Sequence, residues 1–203
     1  MHSHFFRLVP FTVPGRSKSE AIPPLAIEIT GTVALETSTV SVIYQLTGAT
    51  AQIKYASTGG AQQSLRKNEL WRTTCFEVFM KLPGSAAYWE YNLAPDGGWN
   101  VYRFTGYRSA LQPDLQITDI KLTAGIAQMG LAGLQAKLPL PAPLLGQKLA
   151  IGISAVVEDR DGHLHYFALR HAGDKPDFHD PAGFDINLDP ARHDFMASGK
   201  NSP

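Results

Sequence analysis

The sequence predicts an all-β protein, an antiparallel β-sandwich, and two observations carry that prediction. Apolar residues recur at every second position in several short segments, which is the period of a strand with one buried face. Turn-forming glycines, prolines and aspartates separate these segments, and no long stretch has the 3.6-residue period of a helix. Many short strands without helical spacers are typical of a sandwich and not of an α/β fold.

Alternation predicts the first strands in chain order. Residues 25–35 form one strand and residues 40–46 the next, with a polar turn between them at residues 36–39. Residues 74–80 form a further strand that sets Phe76, Val78 and Met80 on the face opposite Glu77. Residues 88–93 and 101–107 are aromatic-rich strands, and the Ala-Pro-Asp-Gly-Gly run at 94–98 predicts a hairpin between them.

The second half of the chain continues the pattern. Residues 131–138 predict another strand, and the prolines at 139–143 exclude a regular ladder there, leaving only a short helical turn at 142–146. Residues 149–157 are almost all apolar or small, which predicts a central strand covered on both sides. A charged turn follows at residues 158–162, so residues 164–169 are predicted to pair with the strand 149–157 as a hairpin.

Length and charge bound the class of protein. The chain has 203 residues, of which 44% are hydrophobic, and this suits one globular domain. We expect that domain to cover residues 1–190 and a flexible polar tail to cover residues 191–203. Lys plus Arg and Asp plus Glu each number 18, so no net charge attracts nucleic acid or an anionic membrane. We therefore expect neither as a partner.

Cysteine content and hydropathy bound the compartment. A lone Cys75 leaves no intramolecular disulfide and no four-cysteine zinc site. Residues 1–15 lack the apolar stretch and cleavage site of a signal peptide. No segment approaches the roughly 18 to 20 consecutive apolar residues of a membrane span. We therefore expect a cytoplasmic protein.

The segment 69–108 is the first candidate site, because it contains all three tryptophans. Indole and phenol rings offer a flat apolar face with a polar edge, which suits stacking on a sugar ring, although aromatic residues also fill sandwich cores. Trp89 alternates with Tyr91 and Leu93, so we interpret it as a core residue. Trp71 and Trp99 stand at strand or turn edges and are better candidates for exposure.

Charged residues inside the predicted strands add to this candidate. Glu77 lies in an otherwise apolar strand, and Glu90 and Asn92 share a face of theirs. Half-buried carboxylates need partners, which Arg72, Arg103 or Arg108 could supply. On one sheet face these groups would suit sugar hydroxyls; the alternative is a solvated face laced with ion pairs.

The segment 168–184 is the second candidate. It contains His171, Lys175, Asp177, His179 and Asp180. Two histidines and a carboxylate are metal-ligand types, but their spacing is not a zinc signature. The simpler interpretation is a loop that is pinned by hydrogen bonds from histidine and aspartate side chains to the backbone.

These two stretches resemble the DOMON-like superfamily and, within it, the family 9 carbohydrate-binding module and its bacterial relatives. The residues that carry the resemblance are Leu70-Trp71, Cys75 to Phe79, Tyr88 to Leu93, Trp99 to Tyr102, Tyr107-Arg108, Pro176 to His179 and Phe184. The resemblance implies a β-sandwich that binds sugars or haem without catalysis.

The resemblance also implies individual roles. Trp71 would be a stacking platform, Glu77 an acceptor for hydroxyls, and Phe178 or Phe184 the second clamp aromatic. Related sugar modules often carry calcium, yet no loop rich in Asp and Asn resembles a calcium site here. Haem ligation in the superfamily uses methionine and histidine. Only Met80 among the methionines lies in a predicted strand, on its core face, so we predict neither haem nor calcium as a resident cofactor.

The sequence therefore favours a non-catalytic module for a carbohydrate or another small polar ligand, with no metal. The alternatives are a haem-binding domain, a protein-interaction domain that uses the same aromatic residues, and a glycosidase with Glu77 and Glu90 as paired carboxylates. The predicted ligand-binding residues are Trp71, Arg72, Glu77, Glu90, Asn92, Trp99, Tyr107, Arg108, His171, Lys175, Asp177 and His179.

Overall fold

A computed structural model describes residues 3–12, 25–55, 64–127 and 130–190. The strands within these ranges are β1 Ser3–Pro10, β2 Ile27–Leu35, β3 Thr39–Gly48, β4 Leu65–Arg66, β5 Cys75–Lys81, β6 Tyr88–Leu93, β7 Gly98–Phe104, β8 Gln112–Pro113, β9 Lys121–Ala127, β10 Gly130–Pro139, β11 Leu149–Glu158, β12 Leu164–Ala168 and β13 Ile186–Leu188. Single 3-10 turns occupy Thr50–Gln52, Leu70–Arg72, Ala142–Leu144 and Pro181–Gly183. No helix in the described ranges has the length and apolar character needed to cross a membrane.

The strands form two layers that β1 joins. One sheet has the order β1-β2-β3-β10-β9, and the other has the order β4-β7-β6-β5-β11-β12, with β13 beside β11 and β8 beside β7. The first part of β1 pairs with β2, from Ser3 opposite Ala34 to Leu8 opposite Ile29. Its last two residues pair with β12, where Val9 lies opposite Ala168. Only the short β4–β7 pair is parallel among these strands, so the predicted antiparallel sandwich is confirmed.

The main core lies between the two sheets. Alternate residues of β5 and β6 fill it, with Phe76 and Met80 from β5 and Tyr91 from β6 fully or almost fully buried. The Tyr44 ring of β3 lies 4.8 Å from the Phe76 ring, and its hydroxyl donates to the Glu77 carbonyl oxygen at 2.9 Å. Aromatic packing and a buried hydrogen bond therefore join the sheets at the same point.

A second apolar cluster covers the opposite side of β5, β6, β7 and β11, which we call the outer face. Phe79, Tyr88 and Phe104 belong to it, and Trp71 and Phe178 pack against it. The Tyr88 and Phe104 rings stack with centroids 4.6 Å apart. Residues of the segments 105–111 and 170–184 lie over this face, which is why β6 is buried on both sides.

Most of the predicted strands are confirmed, including the central strand β11 and the two hairpins β6–β7 and β11–β12. The hairpin turn before β7 uses Gly97 at φ +86°, a conformation that glycine adopts without steric cost. The alternation did not predict β1 and β9. The predicted strand 101–107 was wrong at its end: β7 ends at Phe104, and Tyr107 lies beyond it. The predicted flexible tail, residues 191–203, lies outside the described residues.

Exposure of Trp99 was also wrongly predicted. The side chain is only 2% exposed and belongs to the main core. Its Nε1 donates to Ser64 Oγ at 2.8 Å, and the Arg66 guanidinium lies 4.4 Å from the ring centroid. Because β4 adds to the sheet beside Trp99, a residue that looks like the edge of a turn is covered.

Candidate functional site

A row of polar side chains crosses the outer face on four neighbouring strands. Ser154 of β11 lies opposite Glu77 of β5, Glu77 lies opposite Asn92 of β6, and Asn92 lies opposite Asn100 of β7. All four residues are buried. Since side chains alternate along a strand, residues paired across the strands in this way share one face of the sheet. The predicted gathering of Glu77 and Asn92 on one face is confirmed.

Glu90 lies one step from this row, opposite Phe79 and diagonal to Glu77. Asn92 Nδ2 donates to Glu90 Oε1 at 2.6 Å, and the Cys75 thiol donates to Asn92 Oδ1 at 3.4 Å. Ser154 Oγ donates to Glu77 Oε2 at 3.0 Å. One oxygen of each carboxyl is therefore held by a side chain, on the neighbouring strand β11 for Glu77 and on the same strand β6 for Glu90, which fixes its position.

The other oxygen of each carboxyl faces an open space. Glu77 Oε1 has no hydrogen-bond partner among the described residues, and Glu90 Oε2 lies 3.8 Å from His179 Nε2. No fully buried side-chain oxygen or nitrogen in the described ranges lacks a hydrogen bond. These two oxygens are therefore reached from the cavity above the outer face, although Glu77 is only 3% exposed and Glu90 only 4%.

The cavity has a volume of about 430 Å³. Glu77 and Glu90 form its floor, aromatic rings form its walls, and Arg72 and Arg108 stand among its polar lining. The residues that line it are Trp71, Arg72, Glu77, Glu90, Phe104, Arg108, Leu111, Val156, Leu164, Tyr166, Pro176, Phe178 and His179. Trp71 and Arg72 come from a 3-10 turn, and Phe178 and His179 come from the segment before Asp180. The two candidate segments of the sequence thus meet at one cavity.

A hydrogen-bond relay sets the orientation of His179. The Arg108 backbone N–H donates to the Tyr88 hydroxyl at 3.2 Å, and that hydroxyl lies 2.7 Å from His179 Nδ1. Tyr88 thus links the Arg108 backbone to His179 Nδ1 and orients the imidazole with Nε2 toward Glu90. Burial, helped by the nearby Arg108 charge, lowers the pKa of His179 to about 4. The ring is neutral at pH 7.

Arg108 and Tyr107 tie the two covering segments together through Asp177. Arg108 Nη2 donates to Asp177 Oδ1 at 2.9 Å, and the Tyr107 hydroxyl donates to Asp177 Oδ2. Asp177 Oδ1 also accepts from the His179 backbone N–H at 3.1 Å. Burial of Asp177 opposes its ionisation, but these hydrogen bonds outweigh burial and lower its pKa. The Arg108 guanidinium is therefore committed to Asp177.

Burial has the opposite effect on the carboxyls of the floor. Desolvation raises the pKa of Glu77 well above its ordinary value, and the adjacent Glu90 charge raises it further. Desolvation also raises the pKa of Glu90, to about 7. Two neighbouring carboxyls in a low-dielectric site disfavour double ionisation. The pair therefore keeps a proton to higher pH than free glutamates do.

Strained backbone is concentrated beside the cavity. Among the described residues other than glycine, positive φ occurs at Glu69 (57°), Arg108 (50°) and Ala110 (53°). Glu69 precedes the turn that carries Trp71, and the other two lie in the segment 105–111. Such conformations cost free energy and are found mostly where a binding or catalytic site requires them.

The remaining predicted residues lie away from the cavity wall. His171 Nε2 donates to the Val9 carbonyl at 2.9 Å, and its ring packs near Phe178 at 6.4 Å, so it holds the segment in place. Lys175 is exposed. Asp180 Oδ1 accepts from the Ala182 backbone N–H at 2.8 Å. The interpretation of this segment as a loop pinned by histidine and aspartate is therefore confirmed.

Phe184 is buried in the aromatic cluster beneath the cavity, while Phe178 lines the cavity itself. Of the two candidates for a second aromatic wall, Phe178 therefore has the matching position. Met80 lies in the main core, on the side of β5 away from the cavity. Sequence reasoning missed Tyr166 and Phe104, whose positions in aromatic strands were their only signal.

Solved structures with the same fold exist. A presumed carbohydrate-binding protein from Bacteroides uniformis superposes with a TM-score of 0.61 at 15% identity, over 93% of this chain and 86% of that one. A family 9 carbohydrate-binding module from Caldicellulosiruptor kristjanssonii, in complex with cellotriose, gives a TM-score of 0.52 at 10% identity, over 91% and 84%. The structure of the Caldicellulosiruptor module in complex with glucose superposes with a TM-score of 0.50 at 9% identity, over 90% of this chain and 84% of that one.

The fold is that of the family 9 carbohydrate-binding modules. The resemblance stated from the sequence is thus confirmed at the level of the fold, while membership of the DOMON-like superfamily stays a prediction. No protein-family model matches the sequence, and no curated protein matches it.

Proposed function

We propose that this chain is a non-catalytic carbohydrate-binding module that holds a saccharide in the cavity over Glu77 and Glu90. The observation that carries the proposal is one cavity with aromatic walls and a floor of two oriented carboxyls. Its volume of about 430 Å³ falls within the range of small-molecule sites, about 300 to 1,000 Å³.

The chemistry of the lining matches that of a pyranose. A sugar ring has apolar C–H faces and a rim of hydroxyls, so it needs flat apolar walls together with fixed donors and acceptors. Trp71 and Phe178 supply walls, and the open oxygens of Glu77 and Glu90 supply acceptors. The imidazole of His179 adds a further hydrogen-bonding group to the lining. The saccharide complexes of the family 9 modules make saccharides the first ligands to test.

The state of the carboxyls supports a non-catalytic role. A glycosidase of the paired-carboxylate type needs one carboxylate that stays ionised as nucleophile or base. Burial raises the pKa of both Glu77 and Glu90, and no lysine or arginine among the described residues forms an ion pair that would hold either one ionised. Absence of release from a panel of chromogenic aryl glycosides is the expected result, and turnover that is lost in Glu90→Gln would refute this part of the proposal.

The binding test is calorimetric titration with a panel of mono- and oligosaccharides. Trp71→Ala should lose about tenfold or more in affinity, because it removes a wall of the cavity. Phe5→Ala is the matched control, since Phe5 is an aromatic residue that is 69% exposed on the other sheet. Wild-type protein that binds no member of the panel, or equal binding by the Trp71→Ala variant, contradicts the proposal.

A further inference from the structure

The floor of the cavity has two buried carboxyl groups without an ion-pair partner among the described residues. No lysine or arginine among the described residues forms an ion pair with Glu77 or Glu90. Arg108 pairs with Asp177, and Arg72 pairs with Glu69 at 3.0 Å. Among the described basic side chains, only His179 lies within 4 Å of either carboxyl, with Nε2 3.8 Å from Glu90 Oε2, and it is neutral at pH 7.

Buried charges in proteins are normally paired or neutralised by a proton. Here each carboxyl is held by one oxygen, to Ser154 or to Asn92, and presents its second oxygen to the same cavity. Val156 of β11 and Phe104 of β7, which line the cavity from the packed strands, are apolar, and the charge that acts on both carboxyls comes from Arg108, whose guanidinium is hydrogen-bonded to Asp177. Two oriented carboxyl oxygens without an ion-pair partner among the described residues therefore face one cavity.

A primary ammonium group has the chemistry that this place requires. It carries one positive charge and three N–H donors, and its hydrogen bonds to carboxylates are roughly twice as strong as neutral ones. A hydroxyl donates one hydrogen and leaves the two carboxyls uncompensated. Trp71, Phe178 and Tyr166 line the same cavity, and aromatic rings attract a cation that lies over their faces.

We propose that the saccharide bound in this cavity carries a primary amine, held as an ammonium between Glu77 and Glu90. This inference rests on the proposed function and names its ligand class. An ammonium favours the ionised form of both carboxyls, so its binding lowers their raised pKa values and releases protons from the pair.

The test compares matched sugars by calorimetry at pH 7. The probes are D-glucosamine, D-galactosamine and D-mannosamine, each against its parent hexose and its N-acetyl derivative, which removes the charge but keeps the ring. At least one amine should bind about tenfold or more tightly than both of its partners, a difference of about 1.4 kcal/mol. Titration in two buffers of different ionisation enthalpy should show proton release with the amine only.

Substitution of the carboxyls locates the effect. Glu77→Gln and Glu90→Gln keep the shape of each side chain and should each bring the amine-to-hexose affinity ratio toward one. Glu28→Gln, an exposed carboxylate of β2 on the other sheet, is the matched control and should keep the wild-type ratio.

The outcomes separate the two proposals. Equal affinity for amine, hexose and N-acetyl derivative would refute this inference and leave saccharide binding intact. A preference for the amine that survives in both glutamine variants would also refute it. Failure of the wild-type protein to bind any of these sugars or any member of the wider panel would refute the proposed function as well.

Discussion

The two faces of β5 and β6 are both buried but by different means. On the inner face, Phe76 and Tyr91 pack in an apolar core against the other sheet, where tyrosine hydroxyls donate to backbone carbonyls. On the outer face, Glu77 and Glu90 lie under the segments 105–111 and 170–184, with a cavity left between. Burial alone thus does not distinguish the core from the candidate site. What distinguishes them is what covers each face.

The difference also appears in the covering backbone. The inner face is closed by regular antiparallel strands, while the outer face is closed by segments with left-handed residues and the Arg108–Asp177 ion pair. A face that is closed by strained loops over ionisable groups is costly to maintain. We expect packing on the inner face to contribute most of the stability of the fold. We also expect that removing the carboxyls or the backbone strain on the outer face increases stability.

The largest effect should come from a truncation on the inner face. Phe76→Ala removes a fully buried ring that contacts Tyr44, and we expect a loss of about 3 to 5 kcal/mol in the free energy of unfolding. Phe178→Ala, which removes a half-buried ring at the cavity wall, should lose less than half as much. Urea denaturation of both variants measures this. Equal losses would remove the energetic distinction between the two faces.

An intermediate effect should come from a carboxyl on the outer face, and it should depend on pH. In the unfolded chain Glu90 loses its proton near its ordinary pKa of 4.5, whereas burial in the folded protein raises that pKa to about 7. The folded state therefore binds more protons within this window, and the contribution of Glu90 to stability falls as pH rises through it.

The Glu90→Gln side chain has no proton to lose, so this variant should not show the loss of stability as pH rises. We expect the variant to match or slightly trail wild type at pH 4 and to exceed it by on the order of 2 kcal/mol at pH 8. Denaturant titrations at both pH values measure the difference, and Glu28→Gln serves as the exposed control. A variant that loses stability at pH 8 would mean that the Glu90 carboxylate is stabilised in the folded protein.

The smallest effect should come from the backbone over the cavity. Ala110 has φ +53°, which glycine adopts more easily than alanine does. Ala110→Gly should therefore raise stability by about 0.5 kcal/mol, in spite of the greater flexibility of glycine in the unfolded chain. Ala132→Gly, at an exposed position of β10, is the opposite case and should lower stability by a similar amount. Thermal melts of the pair measure the difference, and a loss in both variants would refute strain at Ala110.

The sequence predicted the features that local alternation determines, namely which residues share a face of a strand. The two faces of β5 and β6 followed from the period of two, and Glu77 stood out because a charge interrupts an apolar strand. The separation of 91 residues between Tyr88 and His179 shows why the rest of the site was inaccessible. Contacts between a strand and a distant loop leave no periodic signal, so Tyr166 and Phe104 could not be assigned to the cavity.

The errors have related causes. Trp99 follows a turn, and nothing nearby in the sequence indicates that β4 pairs beside it and covers the ring with Arg66. The missed strand β9 lies at the edge of its sheet, and its apolar positions 122, 124 and 126 are only half-buried or exposed, so its alternation is weak. In β1 only Phe6 and Leu8 are buried, and a proline ends the strand, so its pattern is short.

The position of β1 has a consequence for synthesis and folding. Because Val9 pairs with Ala168, the first strand reaches its second partner only when almost the whole described chain has been made. The β2–β3 hairpin can form early on the ribosome, but the junction between the two layers must wait for β12. Closing such a distant pair raises the entropic barrier and slows folding. We expect the nascent chain to expose the edges of both layers until the last hairpin is released, which makes this interval the period of greatest risk of aggregation.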